Sequence, residues 1–468
     1  MSHYDVVVVG SGPAGLHAAT EAAQLGARVA VIEKARDVGG ACVHRGTIPS
    51  KTLREAAVQL SRLKRSALDV CMPLDEQTEV AALMTRLTDV VDGHVRYMSR
   101  QVADSGAIHL AGRARFLDDH SLHVDRVRAE PMTVTADKII LAVGSRPRLP
   151  PEIPIDHENV LDSDSILSMI YLPASLTVLG GGVIACEWAS IFTELGVKVT
   201  MVDRAERPLG FMDPELSARF VEALEKAGSR YLAQRRIDSV AFDGVSEVVT
   251  TLEDGEVVRS RKVLCALGRV ANLEGLGIEA VGLTTSRRGN LDVDEHGRTA
   301  CPSVYAVGDV VGFPALAATS MDQGRRAARH ALGVTPGSAS ARIPVGIFTI
   351  PELSSVGLTE EAARAEHGEV IVGRSRFSEV ARGLISATGD GLVKLVVHRE
   401  SLELLGAHVV GDGATELIGI AQMAMAAGMR VHALVENIFN FPTLAEAYRI
   451  AALDALRQHE RGMQQAAE

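Results

Sequence analysis

The sequence contains two copies of one pattern, and the first copy reads YDVVVVGSGPAGLHAATEAAQLGARVAVIEK over residues 4–34. The second copy reads SLTVLGGGVIACEWASIFTELGVKVTMVDR over residues 175–204. Each copy is an apolar run, a glycine turn, a helical stretch and a second apolar run that ends in an acid. The repeat therefore predicts two similar β–α–β units in an α/β protein. The aligned pairs are Gly10 and Gly180, Gly12 and Gly182, Gly26 and Gly196, and Glu33 and Asp203.

The glycines of each copy fit a dinucleotide-binding turn. One makes the tight turn, a second lets a pyrophosphate approach the backbone, and the third position lets the helix pack on the strand. The pyrophosphate then meets free N–H groups at a helix N-terminus, and an acid about 20 residues on accepts hydrogen bonds from ribose hydroxyls. The third position is Gly15 in the first copy and Ala185 in the second, and both residues fit this fingerprint. We expect two nucleotide sites; the alternative is two such units of which one is empty.

Composition and charge narrow the class of protein. The 468 residues are enough for about three domains, and a net charge of −11 provides no basic surface for nucleic acid or an anionic membrane. The N-terminus lacks the features of a signal peptide, and no run approaches the ~20 apolar residues of a membrane span. We expect reduced thiols in the cytoplasm, no metal, and no nucleic-acid or membrane partner. The cysteines have neither CxxC nor zinc-ligand spacing, and they are Cys42, Cys71, Cys186, Cys265 and Cys301.

Taken together, the motifs resemble those of a known family. Nearly the whole chain is similar to the two-dinucleotide-binding flavoprotein reductases, the group of dihydrolipoamide dehydrogenase, glutathione reductase and mercuric reductase. The resemblance implies two Rossmann-like dinucleotide-binding domains followed by an α+β C-terminal dimerisation domain. The similar segments are GSGPAG at 10–15, GGACVHRGTIPSK at 39–51, AVGSRP at 142–147, GGGVIACEWA at 180–189, VYAVGD at 304–309, IFTIPELSSVG at 347–357 and FPTLAE at 441–446.

The resemblance also implies where the cofactors bind. The first copy would hold FAD non-covalently, with Glu33 on the adenosine ribose and Asp309 on the ribitol chain. The second copy would bind NAD(H) or NADP(H) over one face of the flavin. Lys51 and Glu187 would form an ion pair near flavin N5, where a positive charge favours the reduced ring; the alternative is a surface lysine and an unrelated helical glutamate. The other FAD-binding residues implied are Gly10, Gly12, Gly15, Lys34, Gly39, Gly40, Cys42, Lys51 and Gly144, and the nucleotide-binding residues are Gly180, Gly182, Ala185, Asp203 and Gly268.

Two positions depart from the family members that reduce disulfides. Those members have two cysteines separated by four residues, but here the first is Cys42 and the second position is Thr47. They also have a histidine before a Pro-Thr pair near the C-terminus, which works with a glutamate. Here that position is Phe441, and Glu446 has no imidazole to orient. The loss of the thiol and the base together predicts an acceptor other than a disulfide. Cys42 and Thr47 join the ion pair as candidate catalytic residues.

Three stretches resemble the transhydrogenase subgroup of the family, namely GTIPSK at 46–51, VVGFPALAATSMDQGR at 310–325 and the ending from Pro442 to Leu453. This resemblance implies an enzyme that passes hydride from NADPH to NAD+ through FAD, with ping-pong kinetics because one site takes both nucleotides. Three alternatives stay open. They are an NAD(P)H diaphorase that reduces quinones, a non-catalytic flavoprotein that senses NAD(P), and a disulfide reductase that needs a cysteine besides Cys42.

The choice between NAD and NADP depends on the residues that end the second copy. Asp203 suits the 2′-hydroxyl of NAD and repels the 2′-phosphate of NADP. Arg204 and Arg207 follow in the turn DRAER and are candidates to bind that phosphate with charge-assisted hydrogen bonds. The alternative is that both are ordinary solvated arginines.

Linker composition suggests the domain boundaries. Several prolines near 147–154 mark one link, and GVTPGSAS at 333–340 marks another. We expect an FAD-binding domain at 1–150 and 276–340, an NAD(P)-binding domain at 151–275, and an interface domain at 341–468. The resemblance implies that the last domain forms a homodimer, and it leaves higher homo-oligomers open.

Two helices are predicted between the first copy of the repeat and the next strand. Leu53, Ala56, Ala57 and Leu60 recur at helical spacing, which predicts a helix over 53–63 with one buried face. A second amphipathic helix is predicted at about 79–104.

Overall fold

The computed structural model describes residues 2–65, 76–126 and 129–467. In these ranges the α-helices are α1 (Pro13–Gln24), α2 (Gly40–His44), α3 (Thr47–Arg65), α4 (Glu76–Ser105), α5 (Val183–Glu194), α6 (Pro214–Lys226), α7 (Ala317–Ala331), α8 (Glu360–His367), α9 (Ala381–Ile385), α10 (Ala414–Ala426), α11 (His432–Glu436) and α12 (Glu446–Ala467). Short 3₁₀ helices lie at Ser165–Ser168, Ile278–Val281, Gly308–Val311 and Phe377–Glu379.

The same ranges contain the following strands: β1 (Ser2–Val9), β2 (Val29–Glu33), β3 (Ile108–Asp118), β4 (Ser121–Arg126), β5 (Met132–Leu141), β6 (Ser145–Pro147), β7 (Val160–Asp162), β8 (Ser175–Leu179), β9 (Lys198–Val202), β10 (Arg230–Leu232), β11 (Ile237–Phe242), β12 (Val248–Leu252), β13 (Val257–Ser260), β14 (Lys262–Cys265), β15 (Arg269–Ala271), β16 (Val304–Ala306), β17 (Val345–Ile347), β18 (Leu353–Gly357), β19 (Val370–Arg376), β20 (Leu392–His398) and β21 (Leu404–Val410).

The first copy of the repeat forms the centre of a six-stranded sheet. Strand β1 pairs in parallel with β2 and β5, β2 pairs in parallel with β3, and β16 adds to β5 in parallel. Strands β3, β4 and β5 continue as an antiparallel extension. The valines of β1 are buried, as expected for a parallel strand with both faces covered. Helices α1 and α7 pack against each other.

The second copy builds a separate parallel sheet with the order β10-β9-β8-β14-β7. Strand β8, helix α5 and strand β9 repeat the arrangement of β1, α1 and β2. An antiparallel sheet of β11, β12 and β13 and a two-stranded pairing of β6 with β15 accompany it. The predicted pair of Rossmann-like units is therefore confirmed.

The two glycine turns have the same backbone reason for glycine. Gly10 has φ +104°, and a Cβ there would lie 2.3 Å from the carbonyl oxygen of Ala142 at the end of β5. Gly180 has φ +111°, and a Cβ would lie 2.8 Å from the carbonyl oxygen of Ala266 after β14. Each turn is therefore closed against the neighbouring parallel strand, with a φ that favours glycine.

The C-terminal part forms a third sheet, entirely antiparallel, with the order β17-β18-β21-β20-β19. Helices α10 and α12 pack on this sheet, and the side chains of Phe377 and Tyr448 are fully buried in its core. The architecture is α/β, with one mixed and one parallel sheet and an α+β C-terminal unit, and it agrees with the predicted fold class.

Both helices predicted from spacing are present, but the first begins earlier than expected. The helix expected over 53–63 lies inside α3, which already starts at Thr47. Its first turn places the polar side chains of Thr47, Ser50 and Lys51 on a cavity wall, so that turn shows no apolar periodicity. The helix expected at 79–104 lies within α4. No helix in the described ranges is long and apolar enough to cross a membrane.

A buried ion cluster joins the parallel sheet of the second copy to the C-terminal sheet. Asp213 precedes α6 and accepts hydrogen bonds from the backbone N–H groups of Glu215 and Glu360, both at 3.1 Å. Nζ of Lys394, on β20, lies 2.9 Å from Asp213 and 2.8 Å from Glu360. His408 on β21 donates or accepts at both ring nitrogens and lies beside Asp213. One lysine thus meets acids from two helices in a site shielded from water.

Candidate active site

Both glycine turns open into one cavity of about 1350 Å³. This volume exceeds the range of roughly 300–1,000 Å³ that is usual for sites of small ligands. The turns at 10–12 and 180–182, the first turn of α3 and the short helix Gly308–Val311 all contribute to its wall. Helices α1 and α5 begin at this cavity without a side-chain cap on their first N–H groups. Uncapped helix N-termini beside glycine turns suit two pyrophosphate groups.

Glu33 ends β2 with both carboxylate oxygens held in place. Its Oε2 accepts hydrogen bonds from the backbone N–H and the hydroxyl of Ser11, at 2.9 and 2.7 Å, and its Oε1 accepts one from the N–H of Ala35 at 2.8 Å. The residue is buried yet lines the cavity. Ser11 was not among the predicted residues, although its place inside the glycine turn was a usable signal.

Two further glycines allow α2 to approach the first turn. Gly39 and Gly40 have φ +118° and +59°, and a Cβ on Gly40 would lie 2.8 Å from Cα of Gly12. Gly144 and Lys34 lie on the same wall. Burial, with the neighbouring Arg113 cation, lowers the pKa of Lys34. A side chain at Gly12 or Gly40 would crowd this close approach, where a pyrophosphate would meet the backbone. The first turn therefore fits the FAD that the family resemblance implies.

Asp309 lies on the wall of the cavity at the end of a short chain of hydrogen bonds. Its Oδ2 accepts a hydrogen bond from the Ser145 hydroxyl at 2.6 Å, and that hydroxyl accepts one from Nε of Arg269 at 2.8 Å. The N–H of Gly308 donates to Gln323 at 2.8 Å. Ser145 and Arg269 fix the carboxylate, and neither was predicted, because they come from separate segments of the chain.

The predicted ion pair is present. Nζ of Lys51 lies 2.6 Å from Oε2 of Glu187, whose side chain is 7% exposed. Oε1 of the same carboxylate accepts a hydrogen bond from the backbone N–H of Phe348 at 2.9 Å. The ammonium also lies 5.0 Å from the centroid of the Phe348 ring. Three separate segments therefore meet at one charge, and Phe348 was missing from the predicted set.

Cys42 lies on the cavity wall near Thr47, as the sequence predicted. Burial raises the pKa of the Cys42 thiol; a hydrogen bond from Thr47 and the charge of Lys51 oppose that effect but do not overcome it. The other cysteines that the structure describes are free and buried: Cys186 and Cys301 do not line the cavity, and Cys265 lines it at the end of β14. Cys71 lies outside the described residues. Within the described chain, Cys42 has no thiol to pair with.

The far end of the second site is formed by Asp203 and the segments beside it. Asp203 accepts a hydrogen bond from the hydroxyl of Tyr231 at 3.2 Å, and a Cβ on Gly181 would lie 1.9 Å from its Oδ2. Burial and the Asp203 charge raise the pKa of Tyr231, so its hydroxyl stays a donor. Arg204 lies on the cavity wall, whereas Arg207 does not.

Arg207 makes a different contact from the one its sequence position suggested. Its Nη2 donates to Oε2 of Glu361 at 3.1 Å, which directs the guanidinium toward α8.

Gly15 and Ala185 do not line the cavity either. A Cβ on Gly15 would lie 1.9 Å from the carbonyl oxygen of Gly10, so the third position of each copy serves helix–strand packing. Gly268 does line the cavity.

Two aromatic residues mark the surroundings of the site. Trp188, the single tryptophan of the chain, follows Glu187 and is buried on the cavity wall. Phe441 is 70% exposed and does not line the cavity of its own chain. Glu446 accepts a hydrogen bond from the N–H of Thr443 at 3.3 Å; the glutamate therefore closes a local turn.

The described residues contain one group of three side chains with metal-ligand geometry. His3, Asp5 and Asp137 bring their ligand atoms within 4.8 Å of one another. The group lies at the edge where β1 and β5 pair, and it takes no part in the cavity.

The comparisons with known proteins agree with this geometry. A family model described as "Pyridine nucleotide-disulphide oxidoreductase" matches residues 4–324, and the corresponding dimerisation domain matches residues 343–452. The chain belongs to this family of oxidoreductases, whose cofactor is FAD and whose substrates include nicotinamide nucleotides. The resemblance inferred from the motifs is thus confirmed.

Three individual proteins are similar to the chain over nearly its whole length. The soluble pyridine nucleotide transhydrogenase of Mycobacterium tuberculosis is 41% identical over 460 residues, which are 98% of each chain. The crystal structure of LpdA from Mycobacterium tuberculosis matches with a TM-score of 0.89 at 28% identity, covering 97% of this chain and 99% of that one. The flavoprotein disulfide reductase RclA of Escherichia coli, in its Cu(II) complex, matches with a TM-score of 0.88 at 28% identity and the same coverage.

Proposed function

We propose that the protein transfers hydride from NADPH to NAD+ with FAD as the carrier. One observation supports this most directly: a single cavity joins both glycine turns to the Lys51–Glu187 pair, while Cys42 faces Thr47 instead of a second thiol. Because Cys42 has no second thiol among the described residues, the proposed path for the electrons is out through a second nicotinamide. The name of the 41% identical relative supports the same reaction.

The residues between the two glycine turns hold the positive charge of Lys51 in place. FAD bound in the first turn would supply the hydride-carrying chemistry between two nicotinamide nucleotides. Glu187 and the ring of Phe348 fix the Lys51 ammonium, so that its charge does not have to reorganise during the transfer. A preorganised charge at the cavity wall stabilises negative charge that develops beside it.

The order of events follows from the second glycine turn. Among the described residues, 180–182 is the turn left for a nicotinamide nucleotide once the first turn holds FAD. NADPH must therefore leave before NAD+ binds, which gives ping-pong kinetics.

We assign the remaining roles by the same reasoning. Glu33 and Asp309 serve the ribose and ribitol of FAD, and Asp203 serves the ribose of the nicotinamide nucleotide; their positions on the cavity wall support these roles. Cys42 and Thr47, which line the same cavity, would contribute polar groups to the flavin site. The proposed domains are 1–150 with 276–340 for FAD, 151–275 for NAD(P), and 341–468 for the interface; the membership of the three main sheets supports this division.

The assembly and location are part of the proposal. A homodimer is supported by the match to a dimerisation domain and by exposed apolar side chains such as Ile438 and Phe441 in that domain. A cytoplasmic location is supported by the free cysteines and by the word "soluble" in the names of the relatives.

The test is an anaerobic two-step titration of the purified holoenzyme. NADPH should bleach the flavin absorption, and NAD+ added next should restore it with one NADH formed per flavin. Return only after addition of a quinone would favour the diaphorase. No bleaching at all would favour a nucleotide sensor. The variant Lys51→Met, which keeps both glycine turns, should bind FAD but bleach far more slowly.

A further inference from the structure

Four arginines lie in the two turns next to Asp203, and their contacts divide them into two kinds. Arg207 is paired with Glu361, and Arg235 is paired with Asp254 at 2.9 Å. The guanidinium groups of Arg204 and Arg236 make no hydrogen bond or ion pair within the described chain. Both of these are exposed and line the cavity.

Arg236 is held beside Asp203 although 33 positions separate the two in the sequence. The turn between β10 and β11 is tied to the DRAER turn by backbone hydrogen bonds. The N–H of Arg235 donates to the carbonyl of Asp203 at 2.8 Å, and the N–H of Gln234 donates to the carbonyl of Ala205 at 2.9 Å. Gln234 has φ +56°, which tightens this turn. The two turns therefore lie together at one edge of the cavity, and each carries one of the two unpaired arginines, Arg204 and Arg236.

The Asp203 carboxylate and the nearby arginines would act differently on NAD(H) and on NADP(H). The Asp203 carboxylate, oriented by Tyr231 and packed on Gly181, suits the 2′-hydroxyl of NAD(H). It would repel the 2′-phosphate of NADP(H) unless cations face that phosphate. Glu253 also lines this end and adds to the repulsion. Two uncommitted guanidinium groups supply the compensating charge in a geometry that suits phosphate oxygens.

We propose that Arg204 and Arg236 bind the 2′-phosphate of NADP(H) between them, and that Arg207 takes no part. The site then accepts both nucleotides with one fixed backbone, because Asp203 serves NAD(H) and the arginine pair serves NADP(H). This assignment rests on the proposed function, since it takes NADP(H) as a substrate of the second site.

The test uses adenosine fragments that cannot exchange hydride. Calorimetry on the FAD-loaded protein would give Kd for 2′,5′-ADP and for 5′-AMP, which differ in the 2′-phosphate. Arg236→Gln and Arg204→Gln should each weaken 2′,5′-ADP binding by about tenfold to a hundredfold, the range for hydrogen bonds to charged groups. Binding of 5′-AMP should change less than about twofold. Arg230→Gln, which removes an arginine paired with Glu256 outside the cavity, controls for net charge.

Several results would overturn the pair. They are an equal loss for both fragments in Arg236→Gln, an unchanged Kd for 2′,5′-ADP in that variant, or a loss confined to Arg207→Gln. Failure of the reaction is a separate result. If the protein binds 2′,5′-ADP through Arg236 but passes no hydride to NAD+, the arginine pair is supported and the proposed transhydrogenase reaction is contradicted. A protein that catalyses transfer but does not distinguish the fragments would overturn the pair alone.

Discussion

The backbone N–H of Phe348 donates to Oε1 of Glu187, the carboxylate whose other oxygen holds Lys51. The ring of Phe348 also faces the lysine ammonium. The residue directly after β17 of the C-terminal sheet thus supports a charge contributed by the N-terminal part of the chain. Phe348 positions the pair and does not need to touch a substrate to matter.

Phe348→Leu should lower kcat by about fivefold, because it removes a cation–π contact of about 1 kcal/mol while the backbone donor remains. Phe348 also lines the cavity, so the change in kcat is to be compared with any change in KM for NADPH. Steady-state kinetics would separate the two constants. Phe348→Tyr keeps the ring and should retain wild-type kcat. Equal kinetics for the leucine variant and the wild type would show that the ring does not support Lys51.

Lys394→Met should lower the free energy of unfolding by about 3 kcal/mol, because it leaves the buried Asp213 carboxylate without its lysine partner. Glu215 and Glu360 keep their contacts to Arg374. Urea denaturation followed by circular dichroism would measure the change. The control is Lys226→Met, which breaks the exposed pair with Asp390 and should leave stability unchanged. Equal effects in the two variants would mean that the buried cluster adds nothing to stability.

The same cluster should make stability depend on acid. Burial disfavours the Asp213 charge, but His408, Lys394 and backbone donors hold the pKa of Asp213 below its ordinary value. Burial likewise opposes the Glu360 charge, and Lys394 and Arg364 lower the pKa of Glu360. Groups with lowered pKa stabilise the fold above their unfolded pKa of about 4 and lose that contribution as the pH falls. The stability difference between wild type and Lys394→Met should therefore shrink below about pH 4.

Gly181→Ala should weaken binding of ADP-ribose by about tenfold, since the new Cβ would displace the Asp203 carboxylate and lose a hydrogen bond to a charged group. Calorimetry gives the Kd without any redox step. Gly210→Ala, at a glycine with nothing near its Cβ position, is the matched control. Wild-type affinity in Gly181→Ala would mean that Asp203 does not contact the ribose.

Alkylation of Cys42 by iodoacetamide should rise about tenfold per pH unit up to at least pH 9, because burial raises the pKa of the thiol and only the thiolate reacts. Peptide mapping would distinguish Cys42 from the buried cysteines. A rate that levels off near pH 7 would instead indicate a stabilised thiolate, as expected for a thiol relay.

The sequence was most informative where a function depends on neighbouring residues. The glycine turns, their closing acids and the exchange of cysteine for Thr47 lie within short segments, so their spacing is enough to interpret them. The Lys51–Glu187 pair spans 136 positions and was predicted only through the family resemblance. Phe348, which meets Glu187 across 161 positions, was assigned no role by that resemblance. Arg207 lies four residues from Asp203, but its side chain turns to Glu361, 154 positions away. Side-chain direction at a turn depends on such distant partners, which spacing does not reveal.

Trp188 gives the protein an internal optical probe. A lone indole on the cavity wall, one residue from Glu187, emits in the range where oxidised flavin absorbs. Its fluorescence should be quenched in the holoprotein and recover as the cofactor dissociates. Cofactor retention can therefore be followed in any of the variants above without a label, and with no second tryptophan to blur the signal.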